Sequence, residues 1–416
     1  MLLRFRVSNH RSILDPVELS MIAVDNDRAA TRRFDRLSEQ VLTVAGIYGP
    51  NASGKTNVLD AILWLSSAVG RSLSAWGEGV PRDPHRFADG PSEPSTFDLD
   101  LLVGGVRYSY WLEVDDSGVQ YESLFSYPER RKRTLFEREG ESVEFRRGFE
   151  GVRGIRELLT PTTLTLSAAV RLRSNPSLDV GRTISRMSAL GLRRRRRSMH
   201  GFPRLELLDS SFRLFLEDPR GTPHESVSDD EYQRSALELL RWADRGIRRV
   251  SAEEDAEQRR QLQFVRQMDD EPVVLDIEDE SDGTMTWFRM LGPVLGTLRR
   301  GQVLLCDEID ASLHPRLSSR LIELFQDPTT NPSGAQLIFT THDTTLLASL
   351  NRDEVWLTEK SDDFVTSLRA LAEFSGERVR KSLNLERAYL QGRFGAVPEF
   401  DRFVVREAIG LAHTAS

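Results

Sequence analysis

Leu3, Phe5 and Val7 alternate with Arg4, Arg6 and Ser8 at the start of the chain. A period of two predicts a half-buried strand. Val41–Tyr48 is instead a continuous apolar run closed by Gly49, the pattern of a strand covered on both faces. Beyond it Val58, Ile62, Leu65 and Val69 recur at helical spacing and predict an apolar helix. Residues 77–95, rich in Gly, Pro and Asp, read as a loop. Two alternating runs, Phe97–Val103 and Val106–Val114, flank Gly104-Gly105, a two-residue hairpin signal. Val119–Tyr127 and Thr134–Arg138 extend the same antiparallel sheet. From about 171 to 268 the pattern turns helical, with charged stretches but no sustained heptads, so an inserted helical subdomain is expected rather than a long coiled coil. Strands return at Pro272–Ile277, Val303–Asp307 and Gln336–Thr341. A helix is expected over Arg316–Phe325, and a mostly helical tail after about 370. No internal repeat is visible.

The join between the first buried strand and the apolar helix carries the first chemistry. Gly49-Pro-Asn51-Ala52-Ser53-Gly54-Lys55-Thr56 fits G-x-x-x-x-G-K-[ST] in full and is followed by Asn57. The glycines let backbone N–H groups close around phosphates, and the helix N-terminus adds the positive end of its dipole. Lys55 is expected to reach the β- and γ-phosphates, and Thr56 to give a hydroxyl to Mg2+. ATP with Mg2+ is therefore the expected ligand, cradled by Gly49–Asn57. A Gly-rich turn matching by chance is the competing reading, and the strand–loop–helix setting argues against it.

A phosphate loop alone does not say which nucleotide-dependent protein this is. Val303-Leu-Leu-Cys-Asp307-Glu308 is an apolar strand ending in two acids, the Walker B pattern. Asp307 is expected to hold Mg2+, and Glu308 to polarise the attacking water as general base. The chain continues Ile-Asp310-Ala-Ser312-Leu-His314-Pro315, which resembles the D-loop of ABC ATPases. Leu337–Thr341, another apolar strand, ends in His342-Asp343; His342 resembles the switch histidine that contacts the γ-phosphate. Upstream, Glu280-Ser281-Asp282-Gly283-Thr284 precedes an expected helix over Met285–Leu298. Ser281 and Gly283 match the Ser and second Gly of a degenerate ABC signature, while an ordinary N-cap is the alternative. Such a signature cannot reach its own phosphate loop, so the resemblance implies a head-to-tail homodimer, or a higher even oligomer, sandwiching ATP.

Composition narrows the class. The chain has 416 residues, enough for two or three domains. No run of about 18 uncharged apolar residues predicts a transmembrane helix, and no membrane partner is expected. The N-terminus lacks a signal-peptide pattern, and Cys306 is the single cysteine, so no internal disulfide forms. A cytoplasmic protein is expected. Net charge is −8, against a surface coated for phosphate binding. Arginine dominates the basic residues: 56 Lys+Arg less four Lys (55, 132, 360 and 381) leaves 52 Arg. Two clusters stand out, Arg193–Arg197 and Arg130-Arg-Lys-Arg133. Each reads either as a nucleic-acid or partner contact or as a solvated face in an Arg-biased composition.

Taken together the motifs resemble one group. Arg4-Phe-Arg-Val-Ser-Asn9-His-Arg11-Ser12 is similar to the N-F-[KR]-S opening of RecF and SMC heads. The joint pattern Gly-Pro-Asn-Ala-Ser-Gly-Lys-Thr, Glu-Ser-Asp-Gly-Thr, Asp-Glu-Ile-Asp-Ala-Ser-Leu-His-Pro and Thr-Thr-His-Asp resembles the OLD-like, abortive-infection ATPases. So does the tail Leu385–Pro398. The resemblance implies an α/β, RecF/SMC-head-like ABC-ATPase fold with an antiparallel β subdomain and an inserted helical subdomain. The implied units are lobe I over 1–170, the helical insertion over 171–270, and lobe II with signature, Walker B, D-loop, H-loop and tail over 271–416. It further implies Asn9 and Arg11 near the nucleotide, and a Q-loop around Leu166–Arg171, although that stretch has no Gln. The expected role is an ATPase sensor or scaffold in anti-phage defence. It would control a separate neighbouring-gene nuclease or toxin, since no toprim-type acidic cluster follows the ATPase motifs. The alternative is a RecF-like repair ATPase clamping duplex DNA.

Overall fold

The computed structural model describes residues 1–149, 154–171, 177–192, 211, 215, 229–254, 260–268, 271–276, 279–374, 385–391 and 393–394. The chain begins with β1 (Leu2–Ser8) and β2 (Val17–Ser20), then a small ribbon of β3 (Thr31–Arg32) and β4 (Val41–Leu42). The buried strand β5 (Val44–Tyr48) runs into α1 (Lys55–Ala75). A meander follows: β6 (Ser95–Val103), β7 (Val106–Val114), β8 (Val119–Tyr127), β9 (Arg133–Glu139) and β10 (Ser142–Phe145). Next come α2 (Ile155–Leu158), α3 (Thr165–Val170), α4 (Ser177–Ser185) and β11 (Ser188–Leu190). Then α5 (Asp229–Ala243) leads to β12 (Ile247–Glu254), β13 (Arg260–Met268) and β14 (Glu271–Asp276). The last part holds α6 (Asp282–Arg300), β15 (Val303–Cys306), α7 (Pro315–Gln326) and β16 (Gln336–Thr340). It ends with β17 (Val355–Lys360), β18 (Thr366–Ala370) and α8 (Leu385–Leu390).

Two large sheets position the site. The antiparallel sheet has the order β10-β9-β8-β7-β6-β1-β2, with the Gly104-Gly105 turn closing β6 on β7 at Val103↔Val106. Both turn glycines have positive φ, 56° and 74°, which a two-residue hairpin of this twist requires. The second sheet has the order β11-β15-β16-β5-β17-β18 and is parallel except at β17–β18. Its central strands β5, β15 and β16 are buried at every position and mostly apolar, because each face meets its own core. Ala45, Ile47, Leu305 and Ile338 face the first core, shared with α1 and the antiparallel sheet. Val44, Tyr48, Leu304, Cys306, Leu337 and Phe339 face the second, shared with α5, α6 and α7. α1 lies inside the first core and is buried at Val58, Leu59, Ile62, Trp64, Leu65 and Val69, which accounts for its nearly all-round apolar surface. Gln336 ties the two sheets: its Nε2 donates to Leu2 O and Leu42 O, both 2.9 Å, while its Oε1 accepts from Leu2 N at 2.5 Å.

The stretch 171–270 departs from the helical reading. It does hold α4 and α5, but Ile247–Glu254 and Arg260–Met268 are strands that pair with each other, the second also with β14, in a three-stranded antiparallel sheet. Leu262 and Phe264 are buried on either side of half-exposed Gln263, a period of two that the surrounding charges conceal. The β17–β18 hairpin is also new relative to the sequence reading. Among the described residues no helix is long and apolar enough to cross a membrane.

Candidate functional site

The parallel strands β5, β15 and β16 are neighbours, and the loops leaving their C-terminal ends carry the motif residues. In open α/β sheets that edge is where ligands bind. The loop after β5 turns sharply, with φ of 151° at Gly49, 63° at Ala52 and 108° at Gly54, where it enters α1. A Cβ on Gly49 would overlap Thr358, and one on Gly54 would overlap Thr366, so β17–β18 presses the loop into shape from behind. Ser53 is buried and shares a 2.6 Å hydroxyl contact with Thr358, while Thr366 Oγ1 donates to Ser53 O at 2.8 Å. Asn51 and Ala52 are exposed at the loop tip.

Lys55 is only 6% exposed. Its Nζ donates to Gly49 O and Pro50 O, both at 2.9 Å. Burial pushes its pKa down from 10.5 to about 8, while the nearby Asp307, Glu308 and Asp310 charges pull the other way. A buried ammonium in the first turn of a helix, held by two carbonyl oxygens, places positive charge where an anion can take it up.

Thr56 Oγ1 donates to both carboxylate oxygens of Asp307, at 3.0 and 3.1 Å. That contact joins the first-strand loop to the Walker B strand. Asp307 is held from the other side by buried Thr340, whose hydroxyl donates to Asp307 Oδ1 at 2.7 Å and accepts from Glu308 N at 2.8 Å. Glu308 is exposed and has φ of 52°, a left-handed conformation that costs a side-chain-bearing residue about 1–2 kcal/mol. Buried Thr341 donates to Asp310 Oδ1 at 2.7 Å and accepts from Asp343 N at 3.0 Å. Two adjacent threonines therefore lock the Walker B pair and the D-loop acid, and exposed His342 follows them directly. The sequence reading quoted Thr340 and Thr341 but gave them no role; the signal was two hydroxyls at the end of a buried strand.

Thr56 and Asp307 could hold a metal. Among the described residues no group of three or more His, Cys, Asp or Glu is arranged for one. That fits Mg2+, which takes one or two carboxylates and otherwise phosphate and water oxygens. Cys306 lies beneath, its thiol pushed up by burial to about 12, so it stays protonated and inert.

The remaining expected residues sit apart from the phosphate loop. Ser281 caps α6, accepting from Thr284 N at 3.2 Å. A Cβ on Gly283 would approach Ser312 O at 3.1 Å, so the signature segment lies against the D-loop of its own chain. Arg11 has φ of 54° and its Nε lies 3.0 Å from Asp60 of α1 and 3.3 Å from Asp83. Asn9 is buried and faces the 85–94 loop: its amide donates to Gly90 O and Glu93 O, and its Oδ1 accepts from His85 N. Ser12, which closes the opening motif but was given no role of its own, accepts from Asn57 Nδ2 at 2.5 Å and meets Thr366 Oγ1 at 2.7 Å.

The segment Leu166–Arg171, expected as the Q-loop, lies elsewhere. Ser167 Oγ accepts from Leu73 N, and Leu164 N donates to Ser72 Oγ, near the far end of α1. At 1.5 Å rise per residue that is about 25 Å along the helix from Lys55. The start of α3 is instead capped by buried Glu122, which accepts from Thr165 N, Leu166 N and Tyr110 OH. The chain that does pass Asp307 is Gly191, whose φ of 77° and close approach to Asp307 O leave no room for a side chain. Arg193–Arg197 lies outside the described residues. Arg130–Arg133 sits at the exposed β8–β9 turn, with Lys132 Nζ 3.6 Å above the Phe125 ring.

A glycine-shaped loop opening a helix, with its lysine buried and its threonine on a strand-end aspartate, defines a P-loop NTPase-like protein. Residues 44–348 match the family described as "AAA domain, putative AbiEii toxin, Type IV TA system", and the chain belongs to it. No curated protein matches the chain. Among solved structures it is similar to one titled "Crystal structure of the SmcHead bound to the C-winged helix domain of ScpA". Identity is 16% and the TM-score 0.44, over 91% of this chain and 98% of that one.

Proposed function

We propose that the protein binds ATP with Mg2+ at Gly49–Asn57 and hydrolyses it. The observation that carries the reading is the Thr56–Asp307 hydrogen bond, which brings two motifs 251 positions apart together at the mouth of the phosphate loop. In this reading Lys55 neutralises the β- and γ-phosphates, and Thr56 and Asp307 hold Mg2+, which supplies charge neutralisation of the transferred phosphoryl group. Glu308 accepts the proton of the attacking water, its backbone fixed by Thr340. His342 contacts the γ-phosphate. Ser281 and Gly283 serve the ATP of a second copy, giving a head-to-tail dimer in which Asp310 and the D-loop lie at the seam.

The family's printed description, with its toxin and type IV system, supports a role in bacterial defence. We assign the output to a separate effector whose hold depends on nucleotide state. By linkage, an effector that responds to ATP must change ATP affinity by the same factor.

Glu308→Gln tests the chemistry. It keeps shape and hydrogen-bonding reach but loses the base, so ATP affinity should hold while turnover falls about 10²–10⁴-fold. ATP-bound dimers should accumulate, as read by native mass in the presence of Mg2+. Near-normal turnover in that variant would move the base elsewhere. Copurification with the neighbouring-gene product, with and without ATP, tests the output. If nothing copurifies and duplex DNA raises turnover instead, the repair-clamp reading replaces the defence one.

A further inference from the structure

Phe87 and Phe364 are 54% and 55% exposed, and their rings lie together with centroids 5.5 Å apart and planes at 33°. They come from distant parts of the chain, Phe87 from the loop between α1 and β6 and Phe364 from the β17–β18 turn. Two large rings meeting in open solvent bury little, so hydrophobic burial does not explain the arrangement. The fold nevertheless builds it. Asn9 holds the Phe87 loop through His85 N, Gly90 O and Glu93 O, and the His85 ring packs 5.8 Å from the Phe87 ring. Phe364 has φ of 62°, a conformation that bulky residues rarely take and that persists only where the surroundings impose it.

The pair stands at one side of the phosphate loop. Two residues beyond Phe364, Thr366 donates through its hydroxyl to Ser53 O and through its amide to Ser12 O, at 2.8 and 2.7 Å. Ser12 in turn meets Asn57 in the first turn of α1. A nucleotide with its terminal phosphates against Gly49–Lys55 must lead its sugar and base out past some edge of this loop. Among the described residues, the edge made by Ser12, Asn57 and Thr366 carries exposed π-faces. Lys360 Nζ lies over one side of the Phe364 ring, 5.3 Å from its centroid, and fixes the ring's orientation.

We infer that Phe87 and Phe364 are the base platform of the nucleotide site. The inference rests on the reading of Gly49–Thr56 as a triphosphate loop. The rings already touch, so the base stacks on their open faces and does not enter between them. Stacking reads ring area more than hydrogen-bond pattern. The platform therefore favours purine over pyrimidine nucleoside triphosphates and discriminates little between ATP and GTP.

The test uses the full chain and two ligands in the presence of Mg2+, ATP and inorganic tripolyphosphate, which has the phosphates but no base. In the Phe87→Ala/Phe364→Ala double variant, ATP affinity should fall about 10–100-fold by equilibrium titration, while tripolyphosphate affinity stays within about twofold. Phe87→Tyr/Phe364→Tyr should retain ATP affinity. The emission of a 2-aminopurine nucleoside triphosphate should be quenched on binding to the wild type and not to the alanine variant. Phe87→Ala alone, away from the anchored turn, carries the test if Phe364→Ala does not fold. ATP affinity unchanged in the variants, or both ligands weakened equally, overturns the platform. A wild type that binds neither ligand overturns the triphosphate-loop reading itself, a distinct failure.

Discussion

Replacing Lys55 by methionine keeps the length and apolar stem of the side chain and removes its charge. In the free protein this should stabilise the fold. Burial lowers the Lys55 pKa from 10.5 to about 8, the mark of a charge the folded state holds unwillingly. At about 1.4 kcal/mol for each tenfold change in proton affinity, this amounts to about 3 kcal/mol near pH 7. The hydrogen bonds to Gly49 O and Pro50 O are lost in the variant, which offsets about 1–2 kcal/mol. A net gain of about 1–2 kcal/mol remains. The pH dependence has a definite sign. Between pH 8 and 10.5 the unfolded chain binds a proton at Lys55 that the folded wild type has released, so wild-type stability rises with pH there. The advantage of the variant is full below about pH 8 and fades across that window. Saturating ATP with Mg2+ should reverse the order: at 100 times Kd it adds about 2.7 kcal/mol to the wild type and nothing to the variant. The assay is unfolding at pH 7 and pH 9.5, with and without ATP and Mg2+. A free variant less stable than the wild type at pH 7 would refute the burial argument. Equal stabilisation of both proteins by ATP would refute the role of Lys55 in binding.

Thr340→Val keeps the volume of a buried side chain but strands Asp307 Oδ1 and the Glu308 amide without their shared partner. Turnover should drop by about tenfold or more, with ATP affinity within about threefold, and unchanged turnover would mean that Thr56 alone orders Asp307. Gly54→Ala forces a side chain into φ of 108° and onto Thr366. It should lower stability by more than about 3 kcal/mol or prevent folding, and a variant that melts with the wild type would show that the hairpin yields.

Much of the site was legible because its chemistry is local. Gly49–Thr56 is one covalent turn whose shape is dictated by which residues tolerate positive φ, and its strand and helix neighbours announce themselves by period. The Val303–Glu308 and Gln336–His342 segments were legible for the same reason, since a strand covered on both faces shows a run of apolar residues, here Val303–Cys306 and Leu337–Phe339. The β12–β13 strands were not, because buried Val265 follows Phe264 directly and Arg266 takes the next inward position, which breaks the alternation begun by Leu262 and Phe264. Nor was the Q-loop placement: Leu166–Arg171 has no Gln to mark it, and the bonds of Ser167 to Leu73 and of Leu166 to Glu122 hold it near the far end of α1.

The sequence by itself determined the glycine-rich turn from β5 into α1, the buried strand that ends at Asp307-Glu308 and the α/β class, because each depends on residues adjacent in the chain. Only the tertiary structure decided that Thr340 serves Asp307 and Glu308 at once, that Thr366 of an unforeseen hairpin presses on Gly54, and that Phe87 meets Phe364. A threonine or phenylalanine carries no local mark of such a duty. Its partner lies tens or hundreds of residues away, and which pairs meet is settled only when both faces of the parallel sheet are covered and the strand ends are brought to one edge.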